Sequence, residues 1–308
     1  MALPTKAFAR LAAPGGAPIT LYEGDSVRGM GRTIPPGSAD VVVTSPPYNL
    51  GVAYASYDDA RPRQEYLRWV GRFGRAVDRA LSEDGALFLN LGGPPSDPEW
   101  PWVVARAAGR RLVLQNVIHW VKSIAIGRAH AGRSSGLERD LAVGHYKPVN
   151  SHRYVNSAHE YVFHYTRRGD LSLDRLAIGV PYQDPSNQGR WSTGASGRRC
   201  RGNTWFLPYP TIQRRATDRP HPASFPPELP EWCLRLHGVA KVRLAVDPFV
   251  GIGPSAVAAL RLGVPFVGFD IEPAYLSEAR RALTAAGAVP VPGETPPSAA
   301  SSGPPRTR

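Results

Sequence analysis

The segment Thr44 to Tyr48 has the residue types of a loop that could grip an amino group on a planar ring. Pro46 and Pro47 fix two φ angles and remove two N–H donors, so the backbone is stiff and its carbonyls lack the usual local partners. Such a loop can direct the Ser45 hydroxyl and the Pro46 carbonyl at one –NH2 group while the Tyr48 ring stacks on the substrate. A rigid turn without a chemical role is the alternative interpretation.

A second segment, Asp247 to Gly253, comes about 200 residues later and has the residue types of a cofactor loop. It follows the apolar run Lys241 to Val246, which is typical of a buried strand, and it precedes a helix-prone stretch over Ala256 to Leu262. In a strand–turn–helix unit, backbone N–H groups and the helix N-terminus face the ligand. Because Gly-x-Gly also marks ordinary turns, a structural unit without a ligand is the alternative.

An acid closes the next strand and indicates the kind of cofactor. The strand is predicted over Val264 to Phe269, Asp270 follows it, and Tyr275 to Leu283 has the composition of a further helix. At that position the Asp270 carboxylate can hydrogen-bond the hydroxyls of a ribose. The pattern therefore indicates a nucleotide-like cofactor, either NAD or S-adenosylmethionine. Ala256 stands at the third glycine position of the dinucleotide pattern, which disfavours NAD.

Periodic apolar segments predict the elements that must position both loops. Asp40 to Val43 is a continuous apolar run of the kind buried in a parallel sheet. It places Ser45 at the C-terminal edge of the sheet, where open α/β folds bind ligands. Arg63 to Leu81 has the apolar spacing of a helix. Further strands are predicted at Gly85–Leu91, Leu112–Trp120 and His159–Tyr165.

The order of the two motifs resembles that of the β group of DNA amino-methyltransferases, whose catalytic motif precedes the S-adenosylmethionine motif. Thr44 to Tyr48 matches the catalytic signature Ser/Asp-Pro-Pro-Tyr. Asp247 to Gly253 matches the cofactor signature Asp-Pro-Phe-x-Gly-x-Gly, with Pro254 where many members have Thr. His221 to Pro226 matches a His-Pro-Ala-x-Phe-Pro segment, and Gly24-Asp25 matches an N-terminal Gly-Asp. The resemblance covers about residues 20 to 285.

The resemblance implies the fold and the domain organisation. We expect an α/β, Rossmann-like S-adenosylmethionine-dependent methyltransferase fold, in which a mostly parallel sheet is flanked by helices and carries an inserted target-recognition region. The predicted segments are an N-terminal arm (1–19), a catalytic half (20–122), a DNA-facing target-recognition region that includes strand 159–165 (123–219), a cofactor-binding half (220–284) and a disordered tail (285–308).

The resemblance also implies, residue by residue, the groups of the site. The catalytic residues would be Ser45, Pro46, Pro47 and Tyr48. The residues that bind S-adenosylmethionine would be Asp25, His221, Pro222, Ala223, Phe225, Asp247, Phe249, Gly251, Gly253, Ser255, Asp270 and Ile271. His159-Glu160 matches a His-Glu segment of the family, and we expect this pair to have a structural role in the active-site wall rather than a catalytic one.

A basic and irregular region over Tyr182 to Arg219 predicts contacts with double-stranded DNA. The net charge of +12 implies a polyanionic partner, and Arg side chains can reach phosphates and guanine edges. Lys122 belongs to a Trp-x-Lys that follows the corresponding strand in the family. The candidate DNA-binding residues are Lys122, Arg190, Arg198, Arg199, Arg201, Arg214 and Arg215. A solvated basic loop is the alternative.

The two cysteines limit the chemistry. Cys200 and Cys233 have no paired spacing, so we expect neither a metal site nor a disulfide. Methylation of the cytosine ring carbon needs a thiolate, usually on a Pro-Cys loop, and neither cysteine follows a proline. Cys233 lies in an apolar, helix-prone stretch, Leu229 to Leu236, where we expect it to be buried.

Ser45 favours N4 of cytosine as the methylated atom, because Ser at this motif position is commoner among cytosine-N4 enzymes and Asp among adenine-N6 enzymes. Adenine N6 is the runner-up. Methylation of RNA or of a protein glutamine is a third possibility, which Ser45 and the basic region disfavour. A fold that binds DNA without catalysis is the non-enzymatic alternative, and the intact motifs argue against it.

The remaining expectations concern location and partners. No apolar stretch is long enough to span a membrane and the N-terminus has no secretory apolar region, so we expect a cytoplasmic protein without membrane association. The composition, rich in Arg, Ala, Gly and Pro, suits a GC-rich bacterial genome, and we expect association with the nucleoid during the reaction. By resemblance a homodimer is expected. A cognate restriction endonuclease is a conceivable partner that no motif specifies.

Overall fold

A ten-stranded sheet with helices on both faces organises the computed structural model, which describes residues 7–54, 56–132, 136–144, 149–182, 184, 186, 197–208 and 224–291. In chain order the strands are β1 (Ala7–Ala12), β2 (Pro18–Glu23), β3 (Ala39–Thr44), β4 (Leu81–Leu91), β5 (Val113–Val121), β6 (Ser123–Ile126), β7 (Leu141–Gly144), β8 (His159–Thr166), β9 (Val180–Pro181), β10 (Arg198–Arg199), β11 (Thr204–Phe206), β12 (Ala245–Asp247), β13 (Phe266–Asp270) and β14 (Val289–Pro290). The helices are α1 (Ser26–Thr33), α2 (Arg63–Ala80), α3 (Trp100–Ala108), α4 (Glu228–His237), α5 (Pro254–Leu262) and α6 (Pro273–Ala285).

The strand order of the large sheet is β11-β5-β8-β4-β3-β12-β13-β2-β1-β14, and its strands run in one direction except β8 and β1. Two small sheets stand apart, one formed by β6 and β7 and the other by β9 and β10. The predicted α/β fold with a mostly parallel sheet is confirmed. Because β3 and β12 are parallel neighbours, the segments that follow them leave from the same edge of the sheet.

Each face of the sheet buries an apolar layer under its own helices. Val42 of β3 belongs to the layer beneath α1, α2 and α3, whereas Val41 belongs to the layer beneath α4, α5 and α6. The predicted helix after the catalytic segment is α2, and its Tyr66 and Phe73 are fully buried in the first layer. Cys233 of α4 is buried in the second layer, as predicted, and burial raises the pKa of its thiol well above the usual value.

The strand predicted over Lys241 to Val246 is wrong in its first half. Val239–Lys241 forms a 3-10 turn and β12 begins only at Ala245. Arg243 explains the difference, because its backbone N–H and its Nη2 each donate to the buried carboxylate of Asp40 at 2.8 Å. Hydrogen bonds to a side chain therefore replace a strand ladder at this point.

The first and last described segments meet at one edge of the large sheet. Residues 7–19, predicted as part of an arm, instead form β1 and the start of β2, and they bury Leu11 and Ile19. β14 pairs with β1, so Val289 and Pro290 of the predicted tail also join the sheet. Within the described ranges, no helix is long and apolar enough to cross a membrane.

Candidate active site

A buried aspartate joins the two predicted loops at the edge of the sheet. Asp247 ends β12 and accepts hydrogen bonds from the Thr44 hydroxyl at 2.6 Å, the Ser255 hydroxyl at 2.5 Å and the Phe249 N–H at 2.9 Å. Burial raises the pKa of this carboxyl to about 6. Because Thr44 ends β3 and Ser255 lies in the first turn of α5, Asp247 fixes the catalytic loop and the cofactor loop relative to each other.

A cavity of about 330 Å³ opens between these two loops. Most of the predicted catalytic and cofactor residues line it together. They are Ser45, Pro46, Pro47, Tyr48, Asp25, Phe225, Phe249, Gly251, Asp270 and Ile271. Asp247, Gly253 and Ser255 do not line the cavity and support its wall from behind. The predicted cofactor residues His221, Pro222 and Ala223 lie outside the described residues.

The far end of the cavity has groups that fit a nucleoside. Asp270 accepts the Gly251 N–H through Oδ2 and the Glu272 N–H through Oδ1, each at 2.9 Å, and burial raises the pKa of this carboxyl. Each oxygen keeps a lone pair that a ribose hydroxyl can use. Next to it the Ile271 side chain is 38% exposed at the cavity and offers an apolar surface to a flat ring. This acid and apolar pair fits the adenosine half of S-adenosylmethionine.

Two glycines support this end of the cavity, Gly24 in its lining and Gly253 behind the cofactor loop. Gly24 donates its N–H to the Asp270 carbonyl at 2.8 Å, and Asp25 caps α1 by accepting the Arg28 N–H at 2.8 Å. Gly253 has φ +88°, and a Cβ added there would lie 2.8 Å from the Cβ of Ala279. Glycine is therefore required at 253 for α5 and α6 to pack behind the cofactor loop.

Neighbouring helices hold the catalytic loop rigidly. The Tyr66 hydroxyl donates to the Pro47 carbonyl at 2.8 Å, and the Trp100 indole N–H donates to the Tyr48 carbonyl at 2.7 Å. No described group donates to the carbonyl of Pro46, which stays available to a substrate. The stiffness predicted from the two prolines is thus reinforced by α2 and α3, which use two of the three carbonyls.

Asn90 of β4 and Glu160 of β8 face the catalytic loop; Glu160 was expected in the active-site wall, whereas Asn90 was not predicted. The Tyr48 hydroxyl donates to Glu160 Oε2 at 3.1 Å, lies 2.7 Å from Ser45 Oγ and accepts from Asn90 Nδ2 at 2.8 Å. Burial and the nearby charge of Glu160 raise the pKa of Tyr48 well above its usual value. The neighbouring His159 points to the opposite side of β8, where its ring packs against His119 and Tyr161.

The segment after the catalytic loop forms a further wall that sequence reasoning missed. Asn49 adopts a left-handed conformation (φ 59°), and the buried Asp59 carboxylate accepts its N–H at 2.8 Å. Asp59 also accepts the N–H groups of Leu50 and Val52 at 3.0 Å, which closes the segment into a compact loop. Side chains from this loop and from α2 that line the cavity are Val52, Tyr54, Ser56, Tyr57, Arg61, Trp69 and Arg72. The turn-forming Asn49 and the Asp-rich stretch around Asp59 were the available signal.

The predicted DNA-binding residues do not form one cluster in the part of the chain that the structure describes. Lys122 pairs with Glu160 at 2.8 Å, next to the catalytic loop. Arg201 donates to the Ile178 carbonyl at 2.9 Å and stacks 4.0 Å from the ring centre of Trp232, and Arg198 donates to the Gly179 carbonyl. Arg199 is exposed. Arg190, Arg214 and Arg215 lie outside the described residues.

Comparison with known proteins connects this geometry to a family. A family model described as DNA methylase matches residues 39–281. The Type II methyltransferase M.BglII of Bacillus subtilis is 27% identical over 278 residues, which cover 86% of this chain and 68% of that protein. Type II methyltransferase M.ScaI of Streptomyces caespitosus is 26% identical over 266 residues, covering 84% of this chain and 79% of that protein.

A solved structure shares the fold. The structure of the PvuII DNA methyltransferase (cytosine-N4-specific) superposes with a TM-score of 0.60 at 19% identity, covering 88% of this chain and 89% of that one. The matched range 39–281 contains both predicted motifs and most of the residues that line the cavity between them. The chain therefore belongs to the DNA methylase family of N6/N4 methyltransferases, whose methyl donor is S-adenosylmethionine.

Proposed function

We propose that this DNA methyltransferase transfers a methyl group from S-adenosylmethionine to the N4 amino group of cytosine, at a specific sequence in duplex DNA. The observation that carries the proposal is the position of Ser45. It occupies the first place of the catalytic signature and lines the cavity, with its hydroxyl 2.7 Å from that of Tyr48. Ser at this place is commoner among cytosine-N4 enzymes of the family, and the PvuII enzyme, which has the same fold, is named cytosine-N4-specific.

The positions of the two cysteines support an amino group, rather than the ring carbon, as the reacting position. Attack on the ring carbon needs a thiolate next to the base. Cys233 is fully buried in α4, Cys200 is exposed, and neither lines the cavity. The catalytic loop instead offers a hydroxyl and a carbonyl, which are the groups that accept hydrogen bonds from an –NH2 group.

The target base must leave the duplex to reach this loop. The amino group of a paired base is enclosed in the stack, and rotating the base out costs about a few kcal/mol. Stacking on the Tyr48 ring would offset ~1–3 kcal/mol of this. Tyr48 is preorganised for this contact, because its hydroxyl donates to Glu160 and its backbone carbonyl accepts from Trp100.

The chemistry follows from the two acceptors of the loop. The lone pair of the amino nitrogen is conjugated with the ring and is a poor nucleophile. Hydrogen bonds from its two N–H groups to Ser45 Oγ and the Pro46 carbonyl favour a pyramidal nitrogen, which frees the lone pair. S-adenosylmethionine would supply an activated methyl group on a sulfonium and would leave as the thioether S-adenosylhomocysteine, and the methylated nitrogen would lose one of its protons to solvent. The enzyme then contributes positioning and charge stabilisation, without a covalent intermediate on the protein.

Binding of the cofactor and of DNA would use separate surfaces. Asp270 would hold the ribose hydroxyls and Ile271 would pack on the adenine. The exposed Arg199 and the basic residues of the inserted region would contact the phosphate backbone. The described basic residues of that region include Arg128, Arg139 and Arg153.

Mass spectrometry of nucleosides tests the proposal. Purified protein is incubated with unmethylated DNA and S-adenosylmethionine, and the DNA is then digested to nucleosides. We expect N4-methyldeoxycytidine with the wild-type protein and a loss of most product with Ser45→Ala. N6-methyldeoxyadenosine as the main product would contradict the assignment of the base. Unchanged product with Ser45→Ala would contradict the role of the hydroxyl.

A further inference from the structure

A chain of hydrogen bonds links Lys122, directly after β5, to the Ser45 hydroxyl in the cavity. Lys122 Nζ donates to Glu160 Oε1 at 2.8 Å, and the Tyr48 hydroxyl donates to Glu160 Oε2 at 3.1 Å. Asn90 Nδ2 donates to Glu160 Oε2 at 2.7 Å and to the Tyr48 oxygen at 2.8 Å. The side chains of Lys122 and Glu160 are only 19% and 17% exposed, so water competes little with these bonds.

The hydrogens of this chain have one consistent arrangement when Glu160 is ionised. Lys122 can only donate and a carboxylate can only accept. The single hydroxyl hydrogen of Tyr48 points to Glu160, so the Tyr48 oxygen accepts from Asn90 and from Ser45. The hydrogen of Ser45 is thereby used, and its lone pairs face the cavity.

The surroundings of Glu160 keep it ionised. Burial raises the pKa of this carboxyl, and the charge and hydrogen bond of Lys122 lower it. Hydrogen bonds from Asn90 and Tyr48 lower it further, and together with Lys122 they outweigh burial, so the pKa of Glu160 lies below its usual value. The arrangement of hydrogens described above is therefore the one present at neutral pH.

We propose that Glu160 is a positioning residue which, through Tyr48, fixes the Ser45 hydroxyl as a hydrogen-bond acceptor and so selects a base that carries an amino group at the reacting position. A carbonyl at that position would face the lone pairs of Ser45 instead of a donor. Lys122 is the cation that holds Glu160 in place. The inference rests on the proposed function in that the substrate is an exocyclic amino group, and it holds for cytosine and adenine alike.

Glu160→Gln tests the direction of these hydrogen bonds with a side chain of the same shape. Lys122 requires an oxygen, so the amide –NH2 would face Tyr48 and Asn90, which both donate to Glu160 Oε2 in the wild type. The Tyr48 hydrogen would lose its acceptor, and Ser45 would no longer be fixed as a hydrogen-bond acceptor for the substrate. We expect kcat to fall by roughly 30-fold or more, with the affinity for S-adenosylmethionine unchanged. The matched control is Glu231→Gln on α4, where the wild-type residue pairs with Arg235 at 2.9 Å away from the cavity. Wild-type kcat in Glu160→Gln would overturn the inference.

A double-mutant cycle separates positioning through Tyr48 from a general structural role. Tyr48→Phe removes the hydroxyl that connects Glu160 to Ser45. In the Tyr48→Phe background, Glu160→Gln should change kcat by less than about twofold, because the connection is already lost. If the full loss appears in both backgrounds, Glu160 acts by another route and the inference fails. The same cycle still gives this answer if the Glu160→Gln protein is less stable, since both backgrounds carry that change.

The pH profile of Lys122→Met supplies a second, independent signature. Glu160 is faced by Lys122 and by the Tyr48 hydroxyl, and His159 is its neighbour on β8. Without Lys122 the pKa of Glu160 rises, so the acid limb of kcat should move up by about one pH unit or more and activity should recover at higher pH. Because Lys122 also lowers the pKa of His159, the two profiles are compared in a His159→Gln background, where a shift of the acid limb cannot come from that imidazole. A profile that coincides with the wild type would overturn the inference, whereas the methylated nucleoside formed by the wild type tests the proposed function separately.

Discussion

Replacement of Asp247 by Asn removes a buried charge at the junction of the catalytic and cofactor loops while keeping the junction itself. The Asn oxygen can accept from the Thr44 hydroxyl and the Phe249 N–H, as Asp247 Oδ1 does. The Asn –NH2 can donate to the Ser255 oxygen, which now donates to Asp247 Oδ2. The main difference between the two proteins is therefore the titration of one buried carboxyl.

The size of the effect follows from the pKa of this carboxyl. Burial raises the pKa of Asp247 from 3.8 to about 6. The folded protein therefore holds a proton that the unfolded chain releases between about pH 4 and pH 6. The free energy of unfolding falls as pH rises through this window and is level above it. At about 1.4 kcal/mol per pKa unit, the wild type loses about 3 kcal/mol that Asp247→Asn does not lose.

Urea unfolding followed by tryptophan fluorescence from pH 4 to pH 8 measures this difference. We compare the free energies of unfolding of Asp247→Asn and the wild type at each pH. As pH rises across that range, their difference should shift by about 3 kcal/mol in favour of the variant. Asp170→Asn, at an aspartate that is 71% exposed, is the control and should run parallel to the wild type. Parallel curves for Asp247→Asn and the wild type would refute the reasoning about the buried carboxylate.

Three further predictions address the cofactor end and the DNA surface. Asp270→Ala should weaken S-adenosylmethionine binding by roughly tenfold or more in calorimetry, because hydrogen bonds to a charged group are lost, and an unchanged Kd would remove Asp270 from the site. Gly253→Ala should lower the free energy of unfolding by about 1–3 kcal/mol, because its φ is +88° and the new Cβ would lie 2.8 Å from that of Ala279; an unaltered urea midpoint would contradict this. Arg199→Ala should reduce the salt slope of DNA binding by about 1 in titrations at several salt concentrations, and an equal slope would place the phosphate contact elsewhere.

The cofactor unit could be predicted because its signal is local. The turn from Asp247 to Gly253, the helix behind it and the acid Asp270 follow one another in the chain, and the structure places Gly251 and Asp270 in one cavity. The stiffness of the catalytic segment could be predicted for the same reason, because each proline restricts its own backbone. Where a strand was predicted too long, before Ala245, the cause was a side-chain partner, Asp40, that is distant in sequence.

The part of the site that could not be predicted depends on contacts between distant residues. Tyr48 and Glu160 are 112 positions apart; the resemblance placed Glu160 in the active-site wall, but no local pattern indicates that its carboxylate accepts the Tyr48 hydroxyl. Lys122 illustrates the same limit, because its charge suggested a contact with DNA and the sheet brings it to Glu160. Asp247 matched a cofactor signature, yet its carboxylate is used inside the protein to join two loops.

Single-base mapping of modified bases tests the central claim most directly. DNA from cells that express this chain is compared with DNA from cells that express Ser45→Ala, in a host without methylation of its own. We expect N4-methylcytosine at one short sequence in the first sample and its absence in the second. N6-methyladenine at such a sequence, or no modified base in either sample, would contradict this expectation.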